Sequence, residues 1–252
     1  MQATVLAWYS QNGRDLPWRR TRDPYAILVS EVMLQQTQIA RVLPRYRRWL
    51  AGWPTVEALA AAPLAEAIRE WDGLGYNRRA VNLHRCCVRV VELGGFPREV
   101  QELQKLPGIG PYTARAIACF AFGAQVATPD TNAGRVLERA FGDPRLEPPA
   151  GLAYRWNQAL FDLGREVCVA RRPRCQVCPL AAGCPSRGQT YRPLRTQTRF
   201  EGSFRQRRAR LLRQIAAAGE GGLAAADPDA DALGALVRDG LAEVRGGVAR
   251  LP

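Results

Sequence analysis

The chain has 252 residues, 47% of them hydrophobic, enough to bury one large core or two moderate ones beside a small extra module. Its net charge of +13 is almost all arginine, with Lys105 the only lysine; this points to a polyanionic partner, nucleic acid rather than a membrane surface. The N-terminus lacks a basic start, apolar run and cleavage site, and no stretch nears about 18 apolar residues, so the expectation is a soluble, cytoplasmic, nucleoid-associated protein.

In chain order the expected elements are almost wholly helical. DPYAILVSEVMLQQTQIARVLPRYRRWL carries apolar residues at Ile27, Val29, Val32, Met33, Leu34, Ile39 and Val42, a mostly helical spacing. Asp23 before Pro24 supplies an N-cap and a first-turn proline. TVEALAAAPLAEAIREWDGLGY predicts two short helices broken at Pro63 and ended at Gly73 and Gly75. NRRAVNLHRCCVRVVELGG predicts another, stopped by Gly94 and Gly95; it carries His84, the only histidine, in a surface or capping role. Cys86, Cys87 and Cys119 read as small core residues.

A helix ending at Leu106 then meets Pro107-Gly108-Ile109-Gly110, and a second starts at Pro111. Gly108 and Gly110 permit tight turns with positive φ and leave amides exposed at the next helix, where a phosphate can bind without being read for sequence. Ile109 between them is an apolar plug. In VATPDTNAGRVLERAFG, Asp130 precedes a polar helix start, an N-cap position where dipole and amides keep a carboxylate ionised. No convincing alternating strand occurs before residue 240, so the first 190 residues are expected to be all-α.

Four cysteines, Cys168, Cys175, Cys178 and Cys184, follow in the spacing C-x6-C-x2-C-x5-C among Arg171, Arg172 and Arg174. Disulfides fit a reducing compartment poorly. Zinc usually takes two close pairs across a longer spacer, whereas here one pair is flanked by single cysteines. A loop of this shape can wrap a cubane, one thiolate to each of four irons. Zinc, or four unligated core cysteines, are the alternatives, and the arginines make a poor core.

The C-terminal stretch predicts a helix around 204 to 217, a Gly/Ala/Asp-rich turn region, a helix near 230 to 239, and a hairpin at Gly246-Gly247. Together these make a small winged-helix-like segment whose RQRRARLLR face adds phosphate contacts, or else a tail that packs on the rest.

Three resemblances join these readings. The cysteine spacing resembles the iron–sulfur loop of the endonuclease III and adenine DNA glycosylase families, and LPGIG resembles the helix–hairpin–helix of DNA glycosylases. RDLPWR at 14 to 19, SEVMLQQTQ at 30 to 38 and GLGY at 73 to 76 closely resemble the adenine DNA glycosylase family, over about residues 5 to 190. The resemblance implies an all-α fold of two helical lobes with a DNA cleft between them. Residues 21–122 would form a six-helix lobe with the hairpin, 123–190 a [4Fe–4S] lobe on which residues 1–20 pack, and 191–252 the C-terminal module. A monomer acting on mispaired or damaged duplex DNA is expected.

Residue by residue, the resemblance assigns Glu31, in an apolar helix whose burial favours a protonated acid, to protonating adenine N7. It assigns Asp130 to stabilising the oxocarbenium-like sugar, a division of labour familiar at glycosidic bonds. Tyr112 and Asn132 match positions that orient sugar and carboxylates. Arg14 and Arg19 match arginines close to the catalytic glutamate, and Gln36 and Tyr76 match residues that wedge into the duplex where the base is flipped out. Bifunctional relatives carry a Schiff-base lysine where this chain has Tyr112, and Lys105 lies seven residues earlier, so a monofunctional enzyme using water is expected. Two departures stand out: Asn77 follows GLGY where the family often has tyrosine, and the C-terminal stretch is much too small for the Nudix-like domain of well-studied members. The expected function is base excision of adenine opposite 8-oxoguanine or guanine. A thymine or uracil mismatch glycosylase, which also has tyrosine at the hairpin position, and a non-catalytic iron–sulfur DNA-binding regulator are the alternatives.

Overall fold

The computed structural model describes residues 1–191, 199–226 and 229–252, and its described residues form twelve α-helices and one small sheet. Helix α1 (Gln2–Asn12) opens the chain. Helix α2 (Pro24–Leu34) begins as the sequence predicts, with Asp23 carboxylate oxygens accepting the amides of Tyr25 and Ala26 at 3.0 and 3.2 Å. The helical spacing does not continue through QQTQ: Gln36 has φ +56°, and α3 (Ile39–Gly52) starts afresh. Helices α4 (Val56–Ala61) and α5 (Leu64–Glu70) meet at Pro63, and α6 (Arg78–Glu92) follows GLGY.

Helix α7 (Val100–Leu103) stops short of the expected Leu106. Helix α8 (Pro111–Phe122) starts at its proline. Of the two hairpin glycines only Gly108 takes a positive φ, +74°, and a Cβ there would sit 2.6 Å from that of Asn82. Gly110, at φ −84° as the N-cap, needs no such freedom. Helices α9 (Thr131–Phe141), α10 (Ala153–Glu166), α11 (Phe204–Ala217) and α12 (Ala230–Arg238) complete the set, with strands β1 (Leu223–Ala224), β2 (Glu243–Arg245) and β3 (Val248–Arg250).

The chain divides into two compact units. The first comprises Met1–Leu28, Arg98–Gln104 and Ile109–Thr196. Its core grows from α9, where Ala133, Val136, Leu137 and Ala140 repeat at the spacing of one helical face. These pack with Val5 of α1, Trp156, Leu160 and Leu163 of α10, and Leu180, while Cys168, Cys178 and Cys184 lie against the same cluster. Burying each large side chain contributes about 1.5–3 kcal/mol.

The second unit comprises Val29–Pro97, Lys105–Gly108 and Gln197–Pro252. Here Leu211, Leu212 and Ile215 of α11 and Leu233 and Leu236 of α12 join Ile68 of α5 and Val81 of α6 in one core. The sheet is antiparallel in the order β1-β3-β2, with Ala224 opposite Val248 and Val244 opposite Ala249. The expected hairpin is therefore present but carries a third strand, which lies before residue 240, where none was expected. The RQRRARLLR stretch also differs from a free phosphate-binding face. Arg207 pairs with Asp229 at 2.9 Å, Arg208 with Asp239 at 2.5 Å and Arg213 with Asp72 at 2.9 Å. Among the described residues no helix is long and apolar enough to cross a membrane.

Candidate active site and cysteine loop

Asp130 stands at the N-terminus of α9 as its cap. One carboxylate oxygen accepts the amides of Asn132 and Ala133 at 2.8 and 2.7 Å, and the other accepts Asn132 Nδ2 at 3.2 Å. This leaves the carboxylate held by backbone amides at the positive end of a helix. The segment leading to it is pinned by buried Asn157 on α10. Asn157 Oδ1 accepts Thr128 N at 2.9 Å, and its Nδ2 donates to Val126 O and Ala153 O, both at 2.9 Å. Gly164 lets α10 come close: a Cβ there would lie 2.6 Å from the Asn132 carbonyl oxygen. The aromatic ring of Tyr112 lies 6.4 Å from that of Phe161, also on α10.

Arg14 and Arg19 meet on one buried carboxylate, Asp162 of α10. Arg14 donates to it through its amide at 2.9 Å and Nε at 2.8 Å, and Arg19 through both terminal nitrogens at 2.8 Å. Asp162 has no exposed side-chain surface. Burial pushes its carboxyl up, but the bonds and charge of Arg19 and Arg14 together hold it below the ordinary value.

Glu31 lies on α2, 7% exposed, beside Ser30 at 1%. Gln36 and Tyr76 share a rarer property: they are the two non-glycine residues with positive φ among the described residues, at +56° and +49°. Such backbone is a strained exception for long or aromatic side chains. Glu31, Gln36, Tyr76 and Gly108 belong to the second unit; Arg14, Arg19, Gly110, Tyr112, Asp130 and Asn132 belong to the first.

The four-cysteine loop is bonded to α9 through two buried arginines. Arg135 donates to Cys168 O at 2.8 Å, Gly164 O at 2.6 Å and Asn132 Oδ1 at 3.0 Å. Arg139 donates to Ser186 O and Gln189 O at 2.9 and 2.5 Å, and the Cys184 thiol reaches the Arg139 carbonyl at 3.5 Å. The Gly188 amide donates to Cys175 Sγ at 3.3 Å. Among the described residues no three His, Cys, Asp or Glu side chains converge as a single metal ion requires. A cubane asks for a wider spacing, one thiolate per iron, and an amide donor with two buried cations to offset negative sulfur. The Gly188 amide on Cys175 Sγ and the buried Arg135 and Arg139 beside Cys168 supply that donor and that positive charge. Arg79, Arg135, Arg139, Asn157 and Asp162 were not expected from the sequence; the readable signal was a charged or amide side chain on an otherwise apolar helix face, which must find a partner when buried.

Comparison with known proteins defines the class. Residues 29–155 match the HhH-GPD superfamily base excision DNA repair protein model, and residues 168–184, from the first cysteine of the loop to the last, match the iron–sulfur binding domain of endonuclease III. The fold is similar to a thermostable thymine-DNA glycosylase (TM-score 0.68, 31% identity, covering 73% of this chain and 93% of that one). It is also similar to endonuclease III in a non-covalent DNA complex (TM-score 0.63, 25% identity, covering 73% and 92%). In sequence the chain is 44% identical over 231 residues to the adenine DNA glycosylase of Mycolicibacterium smegmatis, covering 82% of this chain and 78% of that protein. It is 41% identical over 245 residues to that of Mycobacterium tuberculosis (85% and 78%), and 44% identical over 213 residues to that of Homo sapiens (74% and 39%). The chain belongs to the adenine DNA glycosylase family of the HhH-GPD base excision repair superfamily, and it carries the iron–sulfur domain.

Proposed function

We propose that the protein removes adenine from duplex DNA, where it is mispaired with 8-oxoguanine or guanine, by monofunctional hydrolysis of the N-glycosidic bond. The observation that carries this reading is the amide-bound Asp130 corner in a chain 41–44% identical to adenine DNA glycosylases. Glu31, removed from water on α2, donates a proton to adenine N7, so that the base departs neutral rather than as an anion. Asp130, fixed by amides at the α9 N-terminus, presents its carboxylate to the cationic sugar that develops as the bond breaks. Asn132 and Tyr112 hold carboxylate and sugar in place, and water completes the reaction because Tyr112 offers no amine for an imine.

Gly108, Gly110 and the surface arginines hold the phosphate backbone, which dominates affinity without reading sequence. Arg14 and Arg19 act through Asp162, bracing α10 beneath the α9 corner. Cys168, Cys175, Cys178 and Cys184 hold a [4Fe–4S] cluster, which ties the loop's thiolates into one frame. The similarity to a thymine-DNA glycosylase supports a second reading, excision of thymine or uracil from mismatches. One experiment separates the two: A:8-oxoG, A:G, A:C, T:G and U:G duplexes scored for abasic sites with wild type and Glu31→Gln. Adenine release should fall about 100-fold or more in Glu31→Gln with duplex affinity retained. Full activity of Glu31→Gln on T:G would favour the second reading, since a pyrimidine has no N7.

A further inference from the structure

The strain at Gln36 and Tyr76 needs a source of constraint, and Arg79 supplies it. Arg79, 8% exposed, lies in the first turn of α6. Its Nη1 donates to Val32 O, Met33 O and Gln35 O at 2.5, 3.1 and 2.8 Å. Its Nη2 donates to Thr37 Oγ1, Leu74 O and Gly75 O at 3.2, 3.4 and 3.0 Å, and its Nε to Tyr76 O at 3.4 Å. None of these partners is a carboxylate. The first set are carbonyls at and just past the C-terminus of α2, groups a helix leaves unsatisfied at its negative end. The second set is the GLGY turn. One planar fork therefore bonds the residues on both sides of Gln36 and the three residues ending at Tyr76. Thr37 Oγ1 adds a direct tie from one turn to the other, donating to Leu74 O at 3.4 Å.

We infer that Arg79 is a positioning residue that locks Gln36 and Tyr76 into one rigid wedge by clamping both of their turns. The inference rests on the reading that these two side chains enter the duplex when the base is extruded. A wedge that must fill a gap in the base stack works only if its backbone does not yield. Both tips are exposed and conformationally strained, and the bonds within each turn, such as Thr37 N to Leu34 O at 3.2 Å and Trp71 Nε1 to Gly75 O at 3.1 Å, do not tie one turn to the other as the Arg79 fork does. Burial without a counter-charge is costly for a guanidinium, which lowers the Arg79 pKa to about 10, and it is tolerated because its bonds all go to fixed carbonyl and hydroxyl dipoles. Lysine has three donors on one point and no fork, so it keeps the charge and loses the simultaneous grip.

The test uses the full-length protein and a duplex in which 2-aminopurine, carrying a 2′-fluorine that blocks hydrolysis, replaces the target adenine opposite 8-oxoguanine. Anisotropy reads binding; the rise in 2-aminopurine emission reads extrusion. Gln36→Ala and Tyr76→Ala should bind within about threefold of wild type, because phosphates dominate affinity, yet lose at least roughly half of the emission rise. Arg79→Lys should show the same split, and adding Tyr76→Ala to it should cost less than about a further 20% of the rise, since coupled residues are not additive. Thr37→Val, which removes one strut of the clamp, should shift emission in the same direction by less, and it decides the matter if Arg79→Lys does not fold. Arg79→Lys and Thr37→Val with a wild-type emission rise, or a penalty fully additive with Tyr76→Ala, would overturn the clamp. A full emission rise in both Gln36→Ala and Tyr76→Ala would overturn the wedge reading beneath it.

Discussion

Two glycines on neighbouring helices should respond to alanine in opposite ways. Gly164 on α10 faces the start of α9, and a Cβ placed there lies 2.6 Å from Asn132 O, 2.9 Å from its carbonyl carbon and 3.0 Å from its Cβ. Backbone is a poor neighbour to push, so the Asn132 carbonyl must recede to at least 3.4 Å, where ordinary contact begins, a shift of about 0.8 Å. The Asn132 and Ala133 amides that hold Asp130 move with it. A misplacement near 1 Å costs about 100-fold in rate, so Gly164→Ala should slow single-turnover adenine excision roughly 10- to 100-fold. Overpacking costs about 1–3 kcal/mol, offset by the ~1 kcal/mol that alanine gains over glycine in a helix, so the melting temperature should drop by only a few degrees. At Gly134, one residue beyond Ala133 on α9, an added Cβ would meet nothing within 4 Å. Gly134→Ala should therefore melt about 2–4 °C higher and keep wild-type turnover. The paired assay is thermal melting by circular dichroism and excision from an A:8-oxoG duplex. Gly164→Ala turning over within about twofold of wild type would refute the claim that the α9–α10 approach sets the Asp130 geometry.

Asp162→Asn should destabilise the protein by about 3–5 kcal/mol at pH 7, because it strips the counter-charge from two arginines, one of them buried. Since Asp162 titrates below its ordinary 3.8 when folded, that stabilisation is fully present above the ordinary value and is lost as pH falls through the lowered one; the gap between wild type and variant should narrow progressively as pH falls below 3.8, and a gap that stays constant in acid melts would refute the assignment. Purified protein should contain about four irons per chain by elemental analysis, and Cys175→Ser should lose iron and DNA affinity together; stoichiometric zinc without iron would contradict the cluster. Borohydride should trap no covalent DNA adduct, and product strands should break only after alkali or heat, since Tyr112 stands where a Schiff-base lysine would be needed; a robust trapped adduct would overturn monofunctional chemistry.

Signals contained within a turn or two of chain were legible in the sequence. Asp23 and Pro24 start α2, Pro63 separates α4 from α5, Asp130 caps α9, and Gly246-Gly247 turns β2 into β3, each through a local backbone requirement that the residue itself meets. The four-cysteine spacing was equally local, because a loop's reach is set by its residue count. What the tertiary structure alone decided depends on partners far along the chain. The apolar spacing from Ile27 to Val42 runs straight through QQTQ, and the break at Gln36 is stabilised by Arg79, 44 positions from Gln35. Arg14 and Arg19 look like cations for DNA in RDLPWR, but both pair with a fully buried carboxylate 148 and 143 positions away, and a buried charge pairs with whatever opposite charge the fold presents. Gly108 and Gly110 are indistinguishable in LPGIG; only the approach of Asn82 separates the one that must be glycine from the one that need not. Strand β1 is two residues long and exists because β3 offers it an edge, which no two-residue pattern can announce.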